Sequence, residues 1–130
     1  MSRVKKLVPF VVDVALVIVF CAIGRRSHDE AIAAGLLRTF WPFGTGLLLG
    51  WVLGVAVAAG REGVSAARGF DGRTVWPTGV IVWLSTLAGG MLLRAVSGQG
   101  VAVSFVIVAA TFLGLFLVGW RAAAQALSSR

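Results

Sequence analysis

The sequence contains very few of the side chains on which most catalytic and metal sites depend. It has one cysteine, one histidine and five acidic residues among 130 positions. The single Cys21 forms no internal disulfide and supplies no metal cluster, so we interpret it as a small core residue. The single His28 has no cluster of cysteine, histidine or carboxylate at metal-ligand spacing beside it. We therefore expect no metal, no cofactor and no enzyme activity, since paired carboxylates and a Ser-His-Asp set are also missing.

Long polar segments are scarce as well, which excludes a separate soluble domain. The longest polar gap covers residues 61–75, and so short a segment rarely folds without a metal or disulfides. The glycine-containing turns at 69–72 and 97–100 lack the lysine and the strand-to-helix context of a phosphate loop. The net charge of +7 does not indicate nucleic acid, because the basic residues lie at the ends of apolar stretches. These features leave a single domain, 1–130, as the prediction.

Four apolar stretches, each close to the length that crosses a bilayer, make up most of the chain. They cover about residues 7–23, 42–59, 76–93 and 101–120. A hydrophobic content of 58% and a mean hydropathy of +0.95 would give a soluble chain too much exposed apolar surface. The sequence predicts an all-α integral membrane protein, an up-and-down bundle of four transmembrane helices in a lipid bilayer. The first stretch contains Asp13 and lacks a signal-peptidase site, so we expect it to be retained.

The distribution of lysine and arginine predicts the orientation. Eight lie at the two termini and in the second gap, whereas four lie in the first and third gaps. Because cytoplasmic loops carry the excess of basic residues, both termini are expected in the cytoplasm, in a multi-pass protein of the inner (plasma) membrane. The margin leaves inverted or dual insertion open.

An Arg-Thr-x-Trp-Pro pattern occurs twice, before the second and the third stretch. Each copy places arginine at the headgroup layer, tryptophan in the aromatic belt and proline in the first helical turn. Pro9 is expected to start the first stretch in the same way. An inverted repeat or a parallel duplication would also produce such copies, but repeated interface chemistry explains them without ancestry. The predicted anchors are Arg38, Trp41, Pro42, Arg73, Trp76 and Pro77.

Glycines on the second stretch predict where helices pack. Gly46, Gly50 and Gly54 recur every four residues and share one helix face, where another backbone can approach closely. Ser85 with Gly89 repeats the spacing in the third stretch. The glycine face is expected to serve either the bundle itself or a second copy of the protein.

Asp13 is the most informative polar residue, because an acid in the centre of a bilayer costs roughly 2.5 to 3.5 kcal/mol. One interpretation is a proton or cation site. The other is a structural role, in which Asp13 pairs with Arg73 or Arg121 or bonds to a serine or threonine on a neighbouring helix. We favour the structural role because no second intramembrane acid or histidine supplies a relay.

Basic residues also gather at the predicted outer interface. Arg25, Arg26 and His28, joined by Arg94 and Gln99 from the other outer gap, form a candidate site for an anion or lipid headgroup. The alternative is that the arginines complement the helix dipole and reach the headgroups.

Several of these segments resemble one family. The stretch 13–28, the Arg38 and Trp41-Pro42 entrance, Trp76-Pro77 and the segment 93–100 are similar to DUF3054, small four-span membrane proteins found mainly in actinobacteria. The resemblance implies the four-span architecture and transfers no activity, because the family has no established function.

Three hypotheses for function follow. The first is a noncatalytic bundle that self-associates or serves as an accessory subunit of a membrane complex, using the glycine face. The second is a small oligomeric transporter or channel in which Asp13 handles a proton or cation, loosely similar to the small multidrug resistance transporters. The third is lipid or anion binding at the outer interface.

Overall fold

The computed structural model describes residues 2–25, 32–63, 72–99 and 101–128, and these ranges contain helices and no strands. The helices are α1 (Ser2–Arg25), α2 (Ile32–Glu62), α3 (Val80–Val96), α4 (Val103–Leu113) and α5 (Gly119–Ser128). One π-helical turn, Val75–Gly79, leads into α3, and a second, Gly114–Val118, joins α4 to α5 in one continuous helix. The described chain therefore forms four helical stretches.

Three of the stretches are long and apolar enough to cross a membrane. They run from Leu37 to Arg61, from Val75 to Val96 and from Val103 to Leu127, while the apolar part of α1, Leu7–Ile23, is shorter. Large apolar side chains stay exposed along them, such as Val103 and Leu92. Apolar exposure on this scale is typical of helices surrounded by lipid, so the helices have the character of a membrane protein.

Each stretch packs against the next in the antiparallel direction. On α1 and α2, Phe10 meets Trp51 and Phe20 meets Phe43, with the ring centroids of each pair 5.4 Å apart. The indole Nε1 of Trp83 in α3 donates to the carbonyl oxygen of Ala110 in α4 at 3.0 Å. α1 and α4 close the arrangement through Phe20 and Phe105. The largest apolar residues of the core are Val17, Phe20, Phe43, Leu47, Val82, Leu113 and Leu117, and Cys21 is buried among them.

The glycines of α2 face α3 in the same chain. A Cβ on Gly46 would lie 2.8 Å from the carbonyl oxygen of Ser85, and one on Gly50 would lie 3.0 Å from the Cα of Val82. A Cβ on Gly89 would in turn lie 3.0 Å from the Cα of Gly46. The backbones of α2 and α3 are therefore in direct contact here, and only the α-hydrogens of the glycines fit between them. Gly54 is also buried.

Two predicted helix starts are wrong. α2 begins at Ile32, so Pro42 lies inside the helix rather than in its first turn, and Pro9 likewise lies inside α1. An interior proline removes one helical hydrogen bond, but a helix continues where another group satisfies the freed carbonyl. At Pro42 the side-chain amide of Gln99 does so, donating to the carbonyl oxygen of Arg38 at 3.1 Å.

The two Arg-Thr-x-Trp-Pro copies differ in backbone conformation. The first is helical throughout, whereas Trp76 in the second is extended, with φ −118° and ψ 131°. The continuous helical backbone of the third stretch therefore begins after Trp76, close to the predicted start at residue 76. Both tryptophans are exposed, Trp41 to 43% and Trp76 to 71%, as an anchor in a headgroup layer requires.

The last helix ends later than the predicted residue 120, because α5 continues to Ser128. Its inward face contains Ala109, Leu113, Leu117 and Arg121, which recur every four residues. In a regular α-helix three such steps would rotate the last side chain by roughly 120° from the first. The wider turn at Gly114–Val118 removes part of this rotation and keeps Arg121 directed at the core.

Candidate functional site

The most polar site within the described residues is an ion pair between α1 and α5. The Nη2 of Arg121 lies 2.7 Å from Oδ2 of Asp13, and the Nη1 lies 2.9 Å from Oδ1. Both side chains are 0% exposed. The guanidinium therefore binds the carboxylate with two parallel hydrogen bonds, the geometry that suits arginine best. Of the two arginines predicted as partners of Asp13, Arg121 forms the pair.

Two indoles complete the surroundings of the carboxylate. Trp120 Nε1 donates to Oδ1 of Asp13 at 2.8 Å, and Trp51 Nε1 donates to Oδ2 at 2.9 Å. A carboxylate has about four acceptor positions. Each oxygen of Asp13 accepts two hydrogen bonds, so the group is saturated by donors from α2 and α5.

The guanidinium of Arg121 is bonded on its other side as well. Its Nε donates to the carbonyl oxygen of Gly72 at 2.8 Å, and Nη1 donates to that of Leu117 at 2.9 Å. The Cζ lies 4.9 Å from the ring centroid of Trp120, within range of a cation–π attraction. Arg121 thus ties α1, α5 and the segment before α3 together.

Two glycines make room for this arrangement. Gly72 has a φ of +74°, which favours glycine, and a Cβ there would overlap the ring of Trp51. A Cβ on Gly79 would lie 2.9 Å from Cδ of Arg121. Both positions allow a large side chain to lie against backbone, so substitution at either would displace a member of the site.

The energetics of the site follow from this saturation. An unpaired ion inside protein or lipid is very unfavourable, whereas a pair with all its hydrogen bonds made roughly offsets its own desolvation. Removal of one partner leaves the other charge buried alone and typically destabilises by about 3–5 kcal/mol. The residues of the site are therefore strongly coupled, because the loss of one of them makes the burial of the others unfavourable.

A second polar cluster, which we call the Gln99 cluster, lies at the opposite end of the helices. Arg94 donates from Nη1 to Oε1 of Gln99 at 3.3 Å and from Nη2 to the backbone oxygen of Gln99 at 3.4 Å. Its Cζ lies 4.4 Å from the ring centroid of Phe105. Ser97 and Gly98 form the predicted turn here, in which Gly98 has a φ of +80°.

The candidate anion site is described only in part. Arg94 belongs to the Gln99 cluster, whereas Arg26 and His28 lie outside the described residues, as does the side chain of Arg25.

Of the arginines predicted as interface anchors, Arg38 is exposed and Arg73 is half-buried. Across the described ranges, no group of three or more His, Cys, Asp or Glu residues is placed to hold a metal ion.

Sequence reasoning missed the two indole donors and the two glycines of the ion-pair site. Trp51 lies in the middle of an apolar stretch, away from the interfaces that tryptophan prefers. A buried indole needs an acceptor for its N–H, so its position was a signal for a polar partner in the core. Gly72 and Gly79 gave no such signal, because their role depends on side chains distant in sequence.

One family model matches nearly the whole chain. The family model described as "Protein of unknown function (DUF3054)" matches residues 10–124. The chain belongs to this family. No curated protein and no solved structure matches the chain. The DUF3054 match includes every residue of the ion-pair site, from Asp13 to Arg121, and also the Gln99 cluster.

Proposed function

We propose that this DUF3054 protein is a noncatalytic, multi-pass protein of the plasma (inner) membrane, with both termini in the cytoplasm. It functions by association, with itself or as an accessory subunit of a membrane complex, and the Asp13–Arg121 site is structural. The observation that supports a structural rather than a catalytic or transport role for Asp13 is the saturation of its carboxylate by four donors. A cation or a proton would have to displace one of them.

The apolar surface supports the association part. The glycine face is covered by α3 within the chain, so a partner has to use outward-facing residues instead. A Gly50→Leu substitution consequently tests folding rather than association. Outward positions on different helices, such as Leu92 and Leu115, are 65% and 64% exposed and suit a photo-crosslinker.

A second candidate function, coupled transport, is favoured by the burial of an acid between helices. Transport requires Asp13 to leave Arg121 during each cycle and to bind the proton or cation in its place. The third hypothesis, lipid or anion binding at the outer interface, stays a prediction that lipids retained after mild detergent extraction would test.

The deciding experiment compares proton and cation flux in proteoliposomes with the wild type, Asp13→Asn, and the double variant Asp13→Asn with Arg121→Gln. The double variant removes both charges, so neither is left buried without its partner, and it serves as a folded control. We expect no flux above that of empty vesicles for any of them. A wild-type flux that both variants abolish would establish transport instead.

Association is measured in native membranes. Crosslinkers at Leu92 and Leu115 are expected to give defined products of higher mass, identified by mass spectrometry after copurification. The same products should form with the double variant, because its outward surface is unchanged. A lone monomer at every outward position would contradict the proposal.

A further inference from the structure

The carbonyl of Arg38 has a particular position in α2. In an α-helix it would accept from the backbone N–H of residue 42, but residue 42 is proline and has no N–H. The side chain of Gln99, which lies 61 positions away, donates to this carbonyl through Nε2 at 3.1 Å. The side-chain amide thus supplies the donor that residue 42 cannot, and the interaction replaces a missing helical bond.

The orientation of the Gln99 amide is set by its neighbours. Its Oε1 accepts from Arg94 at 3.3 Å, while its Nε2 also contacts Oγ of Ser97 at 3.2 Å. A guanidinium has only donors and a carbonyl oxygen only accepts, so the oxygen of the amide must face Arg94 and the nitrogen must face Arg38. The turn after α3 therefore presents a fixed donor to α2.

The part of α2 around Pro42 is also suited to bending. Gly44 lies just beyond the proline, and the hydroxyl of Thr45 donates to the carbonyl oxygen of Trp41 at 2.7 Å. Proline, glycine and a threonine bonded back to the preceding turn each weaken or bend a helix. The part of α2 that bends most easily therefore lies next to the carbonyl that Gln99 contacts.

The two ends of the molecule differ in the strength of their polar contacts. Around Asp13 the bonds of buried charged groups measure 2.7 to 2.9 Å. The bonds made by the side chains of Arg94 and Gln99 measure 3.1 to 3.4 Å, and these groups are only partly buried or exposed. Longer hydrogen bonds between more exposed groups contribute less, so polar contacts hold this end together more weakly.

We infer that Gln99 is a latch that substitutes for the amide missing at Pro42 and that α2 hinges at Pro42 when the latch releases. The segment of α2 before Pro42 then moves away from the turn after α3, while the Asp13–Arg121 end stays closed. This device is independent of whether the protein associates or transports.

The test is a double-mutant cycle between Gln99→Ala and Pro42→Ala. Alanine at position 42 returns a backbone N–H to the Arg38 carbonyl, so the latch becomes redundant. The readout is the rate at which a maleimide labels the cysteine introduced by Thr39→Cys, at a position that is 6% exposed, in a Cys21→Ala background. Purified protein in nanodiscs is used throughout.

We expect Gln99→Ala to raise the labelling rate roughly five- to tenfold in the presence of Pro42, the effect of one lost hydrogen bond. In the Pro42→Ala background the same substitution should change the rate less than about twofold, because the backbone N–H already satisfies the carbonyl. Gln99→Glu keeps an oxygen for Arg94 but has no donor, so it should label as fast as Gln99→Ala.

Equal effects of Gln99→Ala in both backgrounds, or no effect with Pro42, would overturn the inference. Global unfolding is monitored in parallel by intrinsic tryptophan fluorescence during denaturation with SDS. If Gln99→Ala strongly lowers the SDS concentration at the midpoint of unfolding, Gln99→Glu takes its place in the cycle, so the coupling with position 42 is still measured.

Discussion

Asp13 and Arg121, 108 positions apart, bind each other through two hydrogen bonds of 2.7 and 2.9 Å with no exposure of either side chain. The pair joins the first helix to the last. In a low-dielectric environment the loss of either partner leaves the other charge buried and uncompensated, which strongly destabilises the folded state. The pair therefore holds α1 and α5 together at this end of the molecule.

Replacement of Arg121 by lysine should destabilise the protein although the charge is kept. A lysine ammonium cannot make the two parallel bonds to Asp13 together with the bonds to Gly72 and Leu117. We expect a loss of about 1.5–3 kcal/mol in the free energy of unfolding, measured by SDS titration in mixed micelles. The exposed Arg61, changed to lysine, is the matched control and should stay within about 0.5 kcal/mol of the wild type.

Substitution of Trp51 or Trp120 by phenylalanine should each remove one donor from the Asp13 carboxylate. The expected loss is about 1–3 kcal/mol per substitution, because a buried charged acceptor is left with one hydrogen bond fewer. The same change at Trp76, which is 71% exposed, should have little effect on unfolding. Equal effects at Trp51 and Trp76 would show that the indole N–H contributes nothing to the site.

A methyl group on Gly46 should separate α2 from α3. The new Cβ would lie 2.8 Å from a backbone oxygen, which cannot move without its helix, so Gly46→Ala should destabilise by about 1–3 kcal/mol. Gly60, also in α2, has no atom within 4 Å of such a Cβ. Gly60→Ala should therefore be neutral or stabilising by up to about 1 kcal/mol. Thermal unfolding of both variants in the same detergent compares them directly.

Deletion of Leu115 should be tolerated, because it removes the extra residue of the π-helical turn. The inward residues Ala109, Leu113, Leu117 and Arg121 would then follow regular α-helical spacing, and the ion pair would be retained. Deletion of the exposed Ile107 removes a residue before the π turn and rotates the helix from Ala109 onward by about 100° relative to the start of α4.

The two deletions are compared by unfolding in SDS. We expect the Leu115 deletion to unfold within about 1 kcal/mol of the wild type and the Ile107 deletion to be severely destabilised. Similar losses for both would contradict the role assigned to the π turn.

The helical architecture could be predicted from the sequence because it follows from composition, above all from the long apolar stretches. Long apolar stretches require helices, and glycines at a spacing of four mark a close contact, as Gly46 and Gly50 show. The prediction that Pro42 starts a helix is wrong. The helix continues through Pro42 because the side chain of Gln99, in a turn distant in sequence, donates to the freed carbonyl. The candidate site was predicted only as far as Asp13 and a basic partner. The indoles and glycines around them depend on tertiary packing that no local pattern expresses.

The most direct test of the structural role of Asp13 is a double-mutant cycle with Asp13→Asn, Arg121→Gln and the combination, read as the free energy of unfolding. If the pair is a structural unit, each single variant loses about 3–5 kcal/mol and the double variant loses at least about 2 kcal/mol less than their sum. Losses that add to within about 0.5 kcal/mol would show that the two charges act independently, and would contradict the account.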